Sequence, residues 1–394
     1  PSARRGAAAS RTMNQTLGSS KMHSAVAARS ARTTLVLAMV AAMVLLLTPT
    51  ANAFGKKGHH PFANAPKVKV LSRNLYFGAD LTRAITATTV PDFIAANAQI
   101  WTNVVASDIP ARERAVAREI AIGRPDLVGL QEAAQWLSGP FADPAPATTV
   151  EYDQLNSLLF WLAAYGSPYE VVQSQEQISI EAPAGAPYFR DFRLVDRDVI
   201  LVRKHSKHKL KLSNAAGANF ATFLPIPTVT GETIEVKRGW TSVDVKTKKS
   251  KFRFINTHLE SFHPLVRAAQ AGELVAPGGP AGSAPGKVVL VGDINSDPLE
   301  APPGNAAFGV LLGAGFSDTW TAVNPGDPGY TCCFGELLDD PSPAGVFDQR
   351  IDHVLTRGAV ATKRSRTVGL NPFNRTSGGL WPSDHAGVLT TLRP

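Results

Sequence analysis

The chain has 394 residues, 44% of them hydrophobic, ample for a large core and for one big α/β domain or two small ones. Its 40 Lys/Arg exceed its 32 Asp/Glu, but six of the basic residues and none of the acidic ones fall within the first 53 positions. The remainder carries 34 basic against 32 acidic residues, so the basic balance does not argue for a nucleic-acid partner.

Residues 1–53 read as a secretory leader. Lys21, Arg29 and Arg32 form a positive flank, Thr34 to Leu47 is an apolar run, and Thr48-Pro-Thr-Ala-Asn-Ala53 ends in an A-x-A pattern. The run is short for a membrane span of roughly 20 residues. Cleavage after Ala53 and a secreted or periplasmic product are expected, with a retained anchor as the alternative; Met13 or Met22 is the candidate start. Residues 54–66 read as a flexible lead-in, and His59-His60 as part of a solvated tail.

Lys67 to Asn74 alternates as a first strand. Helices are predicted over Pro91–Ala106 and Pro110–Ile122, the second capped by Asp108, and over Glu151–Tyr165. Asp126–Glu132 reads as a buried strand, followed by strands at Tyr169–Ile180 and Asp198–Arg203. Val236–Lys246 and Lys251–Glu260 form a hairpin about Thr247-Lys-Lys-Ser250. A short helix at Leu265–Leu274 and a Gly/Pro/Ala loop at Pro277–Gly286 lead to strands at Lys287–Asp293, Arg350–Leu355 and His385–Leu392. Strand patterns continue past the insertions at Ser138–Thr149 and Ala182–Pro187, so residues 67–394 read as one catalytic domain.

The chemistry gathers at strand ends. In Leu290-Val-Gly-Asp-Ile-Asn295 an apolar strand runs into a carboxylate and an amide two residues apart, which alternation points the same way. Asn74 ends the first strand, Glu132 the second, and His258 ends Phe254-Ile-Asn-Thr-His. Asp352 lies in Arg350-Ile-Asp-His-Val-Leu355, and Asp384 and His385 in Pro382-Ser-Asp-His-Ala-Gly387. A hard cation takes oxygen ligands, which Glu132 with Asp384 or Asn74 can supply. Water activation and charge stabilisation fall to Asp, His and Asn.

Taken in order, these motifs resemble the endonuclease/exonuclease/phosphatase superfamily over nearly all of the chain after the leader. The resemblance implies a four-layered α/β sandwich with two central mixed β-sheets flanked by helices. It implies Glu132 as main metal ligand beside Asn74, with Asp384 helping to hold the metal. It makes Asp293 the residue that orients or deprotonates water, and Asn295 a holder of a phosphate oxygen. It sets His385 on the scissile phosphate, kept in its tautomer by Asp352, and His258 on phosphate or leaving group. The expected cofactor is Mg²⁺, with Mn²⁺ or another divalent cation as the alternative.

Bland readings compete elsewhere. His353, beside Asp352, points to the other face and reads as structural; Asp318 reads as a cap, and Glu260 and Asp297 as supporting or surface residues. The basic runs Arg203–Lys211 and Lys246–Arg253 read as solvated hairpin ends, or as a track for a polyanion or anionic lipid surface. The two cysteines, Cys332 and Cys333, are adjacent. Neighbouring Cα atoms lie about 3.8 Å apart, below the usual disulfide range. Two packed thiols are therefore the first expectation, with a strained vicinal disulfide, which an exported compartment permits, as the alternative, and a zinc site from this pair lacks partners nearby.

The expected substrate is a phosphoester, most readily a phosphodiester. Ser296-Asp-Pro follows Gly-Asp-x-Asn, and the later motif is Gln349-Arg-Ile-Asp-His, neither in the form that inositol phosphatases of the superfamily show. A nuclease acting on nucleic acid comes first, then a phosphodiesterase of phospholipid headgroups, then a general phosphatase; a binding-only descendant comes last. No stable protein partner is indicated, and a monomer is expected.

Overall fold

The computed structural model describes residues 66–206 and 209–394. The leader, most of the lead-in and His59-His60 lie outside the described residues. In chain order the regular elements begin with β1 (Val68–Asn74), α1 (Thr82–Ile85), α2 (Val90–Ala106), α3 (Ile109–Gly123), β2 (Leu127–Gln131), β3 (Gln135–Pro140), β4 (Thr149–Asp153), α4 (Gln154–Ala164), β5 (Tyr169–Ala184) and β6 (Arg190–Arg203). They continue with β7 (Lys211–Asn219), β8 (Leu224–Pro227), β9 (Thr233–Val236), β10 (Gly239–Lys246), β11 (Lys251–His258), α5 (Pro264–Val275) and β12 (Lys287–Asp293). Last come α6 (Ala306–Gly313), β13 (Phe316–Asp318), β14 (Asp352–Arg357), β15 (Ala361–Val368) and β16 (Gly387–Arg393).

The strands make two large mixed sheets. One runs β15-β16-β1-β2-β6-β3-β4 with β5 also on β6; the other runs β13-β14-β12-β11-β10-β7. β1–β2 and β11–β12 are the parallel pairs, and both come from crossovers through helices. Alternation decides the layers. Val70, Leu127 and Ile200 of the first sheet pack against Phe254, Val291 and Val354 of the second, giving a core between the sheets. The opposite phase faces helices: Leu71, Val128 and Leu201 meet α3 and α4, while Ile255, Leu290 and Leu355 meet α5 and α6. The order helix, sheet, sheet, helix is the expected four-layered sandwich. Among the described residues no helix is long and apolar enough to cross a membrane.

Local chemistry sets the boundaries. Thr89 caps α2 through Asp92 N, with Pro91 in the first turn, and Asp108 caps α3 through Ala111 N. The helix expected from Glu151 starts at Gln154, because residues 149–153 pair with β3 and Asp153 then caps Asn156 N. The strand expected from Asp198 starts at Arg190, since residues 190–195 pair with both β3 and β5. Their alternating charges hid an inner strand whose polar side chains find partners: Asp191 accepts from Ala142 N and Asp143 N, and Arg197 meets Asp153 at 2.8 Å.

Candidate active site

The polar end of the core between the sheets is where the expected residues meet. Asn74 stays in phase with Val70, Asp293 with Val291, His258 with Phe254 and Asp352 with Val354, so all four project between the sheets. Register aligns the ends: His258 pairs with Asp293, Asp293 with Asp352, and Asn74 with Gln131. A buried polar contact joins the sheets just below, where Asn256 donates to Leu130 O at 2.9 Å and accepts from Gln131 Nε2 at 2.5 Å.

Glu132 and Asn295 arrive differently. Alternation would aim Glu132 at the helices, because Val128 and Leu130 face that way. It adopts φ +55 and turns into the cleft. Asn295 lies beyond β12 at φ +49, so a left-handed turn brings it beside Asp293 rather than strand alternation. Tyr76, next to the site, has φ +65. Such backbone costs about 1–3 kcal/mol per residue and gathers where function holds it in place; Asn tolerates it best. Arg112, fully buried, steadies this end of the fold by donating to Leu75 O at 3.0 Å, Tyr76 O at 3.3 Å and Pro382 O at 3.4 Å.

Asp293 Oδ2 is the hub. Asn74 Nδ2 donates to it at 3.1 Å, His258 Nε2 lies at 3.6 Å and His385 Nδ1 at 3.8 Å. The other Asp293 oxygen accepts from Asn295 N at 2.9 Å. Asn74 Nδ2 also donates to Glu132 Oε1 at 3.1 Å, and its Oδ1 accepts from Tyr76 N at 2.9 Å. Glu132 Oε2 accepts from Phe77 N at 3.0 Å. Asn295 Nδ2 donates to Leu259 O at 3.0 Å. Asp384 sits on the same cleft wall as Glu132, with Ser383 Oγ at 3.3 Å from its Oδ1.

The two histidines have opposite characters. His385 Nδ1 lies 2.8 Å from Asp352 Oδ2. Burial pushes this imidazole down, but Asp352, Asp384 and Asp293 outweigh burial and hold it well above its usual value. His258 is driven well below its usual value by burial and by Arg238. Arg238 Nη1 is 3.1 Å from His258 Nδ1, and a guanidinium only donates, so Nδ1 accepts and Nε2 carries the proton toward Asp293.

Carboxylates crowd the site. Burial first and Asp384 second push Glu132 up to about 8. Burial and Asp352 push Asp293 up to about 6. Asp352 Oδ1 is buried with no hydrogen-bond partner. Oxygen donors that raise one another and leave a buried acceptor unmet suit a small hard cation, so the residues fit a divalent ion.

Three residues escaped the sequence reading. Arg238 bridges His258 to buried Asp196 at 3.3 Å, and Asp198 accepts from Gln177 at 3.2 Å. A signal existed: Asp196 and Asp198 are in phase with Ile200 and Val202, two carboxylates on a core-facing stripe. His353 is structural as expected, against Phe308 at 5.0 Å with Nε2 at 3.3 Å from Ser296 O. Asp318 is more than a cap: it holds Arg350 at 2.7 Å and also accepts from Trp320 N. Glu260 accepts from Phe262 N and Asp297 from Leu299 N.

Cys332 and Cys333 are joined as a vicinal disulfide rather than left as thiols. The two basic runs meet at the far end of the strands, where Lys246 pairs in register with both Lys211 and Lys251. His258 is seven residues along β11 from Lys251, roughly 23 Å of strand. The Pro277–Gly286 loop is tied there too, through Arg253 to Pro280 O and Arg357 to Ala281 O.

A cavity of about 1050 Å³ opens from Glu132 and Asp384 toward α2, β5 and the β8–β9 hairpin. Its floor holds Phe93, Trp101 and Trp136, and Phe262 stands exposed at its rim. Eight carboxylates line it against two cations, Lys237 and Arg238.

The sequence pattern described as the Endonuclease/Exonuclease/phosphatase family matches residues 103–385. No curated protein is similar to the chain in sequence. Among solved structures, D. rerio TDP2 complexed with a single-strand DNA product is 17% identical, covering 83% of this chain and 99% of its own at a TM-score of 0.49. An endonuclease/exonuclease/phosphatase family protein from Bacteroides thetaiotaomicron is 16% identical, covering 83% and 98% at 0.49. The endonuclease/exonuclease/phosphatase from Beutenbergia cavernae is 19% identical, covering 83% and 71% at 0.49.

Proposed function

The chain belongs to the endonuclease/exonuclease/phosphatase family, and we propose that it is a divalent-metal-dependent hydrolase of phosphodiester bonds, exported by its leader and cut near Ala53. The observation that carries this reading is the convergence of Asn74, His258 and His385 within 3.8 Å of Asp293 Oδ2.

Glu132 and Asp384, with Asn74 beside them, would hold Mg²⁺ or Mn²⁺. When bound, the ion supplies charge neutralisation for the phosphate oxygens and the departing oxygen. The chain's own groups do the rest. Asp293, as the carboxylate, accepts a hydrogen bond from water and aims it at phosphorus; Asn74 and Asn295 fix its two oxygens. His385, charged against Asp352, presents Nε2 to a phosphate oxygen and offsets the charge that grows there. His258 is neutral and donates through Nε2, a role that Arg238 enforces from the other ring nitrogen. Asn295 has one amide hydrogen on Leu259 O and a second for a non-bridging oxygen.

Nucleic acid is the first substrate, with a strand laid across the strand ends and a base stacked on exposed Phe262. A specific observation favours a second reading. The cavity beside the site is acidic with an aromatic floor, and the lysine-rich end lies at the opposite pole. A polyanion entering that cavity meets repulsion, whereas a zwitterionic phospholipid headgroup with an apolar arm does not. Purified protein with Mg²⁺ decides between them on plasmid DNA, single-stranded DNA, RNA, sphingomyelin micelles and bis(p-nitrophenyl) phosphate. A nuclease loses activity steeply with added salt; a lipid phosphodiesterase needs the micelle. No turnover on any of these would refute the phosphodiesterase reading.

A further inference from the structure

We propose that Cys332, Cys333 and His385 form, once the cysteines are reduced, a two-sulfur, one-nitrogen site for a thiophilic cation such as Zn²⁺ or Cd²⁺. Both sulfurs lie 3.9 Å from His385 Nε2. In a tetrahedral zinc site with ordinary Zn–S and Zn–N bonds, sulfur and nitrogen stand about 3.6 Å apart. Each sulfur–nitrogen pair is therefore within a few tenths of an ångström of ligand spacing, and the two sulfurs, bonded to each other in the disulfide, move apart to about 3.8 Å once reduced to take the same ion. The sequence alone offered the cysteine pair no partner; the fold supplies one from 52 residues away.

Two further features suit a ligand site. His385 turns its other ring nitrogen to Asp352 at 2.8 Å, the carboxylate support that metal-bound imidazoles use to fix tautomer and orientation. The cysteine segment is also held on both sides: Thr331 N donates to Gln349 O at 2.7 Å, Phe334 N to Asp384 O at 2.9 Å, and Ala386 N to Thr331 O at 2.8 Å. Cys332 is buried and Cys333 partly exposed, so the site opens to solvent on one side. Sulfur and imidazole select soft or borderline ions, whereas Mg²⁺ prefers the oxygens of Glu132 and Asp384. The two sites thus differ in chemistry while sharing one cleft.

The chemistry balances with a named reductant. A phosphine and water cleave the S–S bond; each sulfur gains an electron and a proton, and the phosphine becomes its oxide. A divalent ion then forms two metal–sulfur bonds and one metal–nitrogen bond and releases three protons, one from each thiol and one from Nε2 of the charged His385, whose freed lone pair takes the ion while Nδ1 keeps its proton against Asp352. The bound ion occupies the nitrogen that the phosphodiesterase reading gives to phosphate, so filling the site inhibits turnover.

The full chain, reduced with tris(2-carboxyethyl)phosphine, is titrated with Cd²⁺ in excess Mg²⁺ while thiolate-to-cadmium absorbance is followed. The expected result is one Cd²⁺ per chain with a charge-transfer band, and no band without reductant. Cys332→Ser/Cys333→Ser abolishes the band. Asp352→Asn weakens Cd²⁺ binding by roughly 10–100-fold, and His385→Ala weakens it at least as much. Unchanged affinity in folded His385→Ala would reduce the site to a bare dithiol, and no band in the reduced wild-type chain would end the proposal. Both readouts are independent of activity, so a chain that binds Cd²⁺ in this way yet cleaves no phosphodiester would refute the catalytic reading alone.

Discussion

Titrating the chain with Mg²⁺ at several pH values tests the acidic cluster directly. Glu132 is held at about 8 and Asp293 at about 6 while no cation balances them. At pH 7 the Glu132 carboxyl is therefore largely protonated, and Asp384 is also raised by burial, so an ion that binds there displaces protons. Apparent Mg²⁺ affinity therefore rises up to roughly tenfold per pH unit between 6 and 8 and levels off above. The stability of the metal-free fold runs the other way. Glu132 titrates higher in the fold than its ordinary 4.5. The folded state then binds more protons than the unfolded chain, and its stability falls as pH rises from about 4.5 through 8. Mg²⁺ should raise the melting temperature more at pH 8 than at pH 5. Calorimetry in buffers of different ionisation enthalpy counts the protons, and thermal melts with EDTA or Mg²⁺ follow stability. Glu132→Gln should flatten the pH dependence and weaken binding. Affinity that is constant from pH 6 to 8 in the wild-type chain would refute the reasoning, because an ion held by these carboxylates must displace their protons.

Asp352→Asn keeps the shape but removes the charge facing His385, and kcat should fall by roughly 10²- to 10⁴-fold, about 3–5 kcal/mol of barrier. The melting temperature should fall, since the buried His385 imidazolium loses its 2.8 Å carboxylate partner; activity within threefold of wild type would remove the pair from the mechanism. Arg238→Gln frees His258 to carry its proton on either nitrogen, so its NMR titration should move up toward the ordinary value; an unmoved titration would clear Arg238 of tautomer control. Gly129→Val puts methyl groups where even a Cβ would stand 2.5 Å from Asn256 Oδ1 and Val291 Cγ2. It should cost about 1–3 kcal/mol in denaturant unfolding, and an unchanged midpoint would mean the sheets separate more easily than their packing indicates. Thorough EDTA treatment should silence hydrolysis, with recovery on Mg²⁺ or Mn²⁺; turnover that survives chelation contradicts the cation assignment.

Much of the site was legible because strand alternation is a local property. Asn74, His258, Asp293 and Asp352 each continue the phase of apolar neighbours, so their common side could be read from one-dimensional pattern. Asp196 and Asp198 carry the same signal, but the charged stretch around them does not have the pattern of an inner strand. Glu132 is found by its motif, and its left-handed backbone turns it into the cleft where strand alternation alone would aim it at the helices; Asn295, which alternation is expected to align with Asp293, reaches it through a left-handed turn instead. Arg238 lies just before β10 with no pattern to distinguish it from its partly exposed neighbour Lys237.

The order of residues by itself determined which side chains leave each strand toward the sandwich interior, and hence that acids, amides and imidazoles line up at strand ends. Period-two geometry requires only the neighbours in the chain. Tertiary structure decided everything that depends on two distant segments sharing a register. It placed Arg238 against His258, brought Cys332 and Cys333 to His385, and carried both lysine-rich runs to the end remote from Asp293. Those outcomes follow from how two sheets pack over long sequence separations, where many pairings satisfy the same local pattern and side-chain packing selects one.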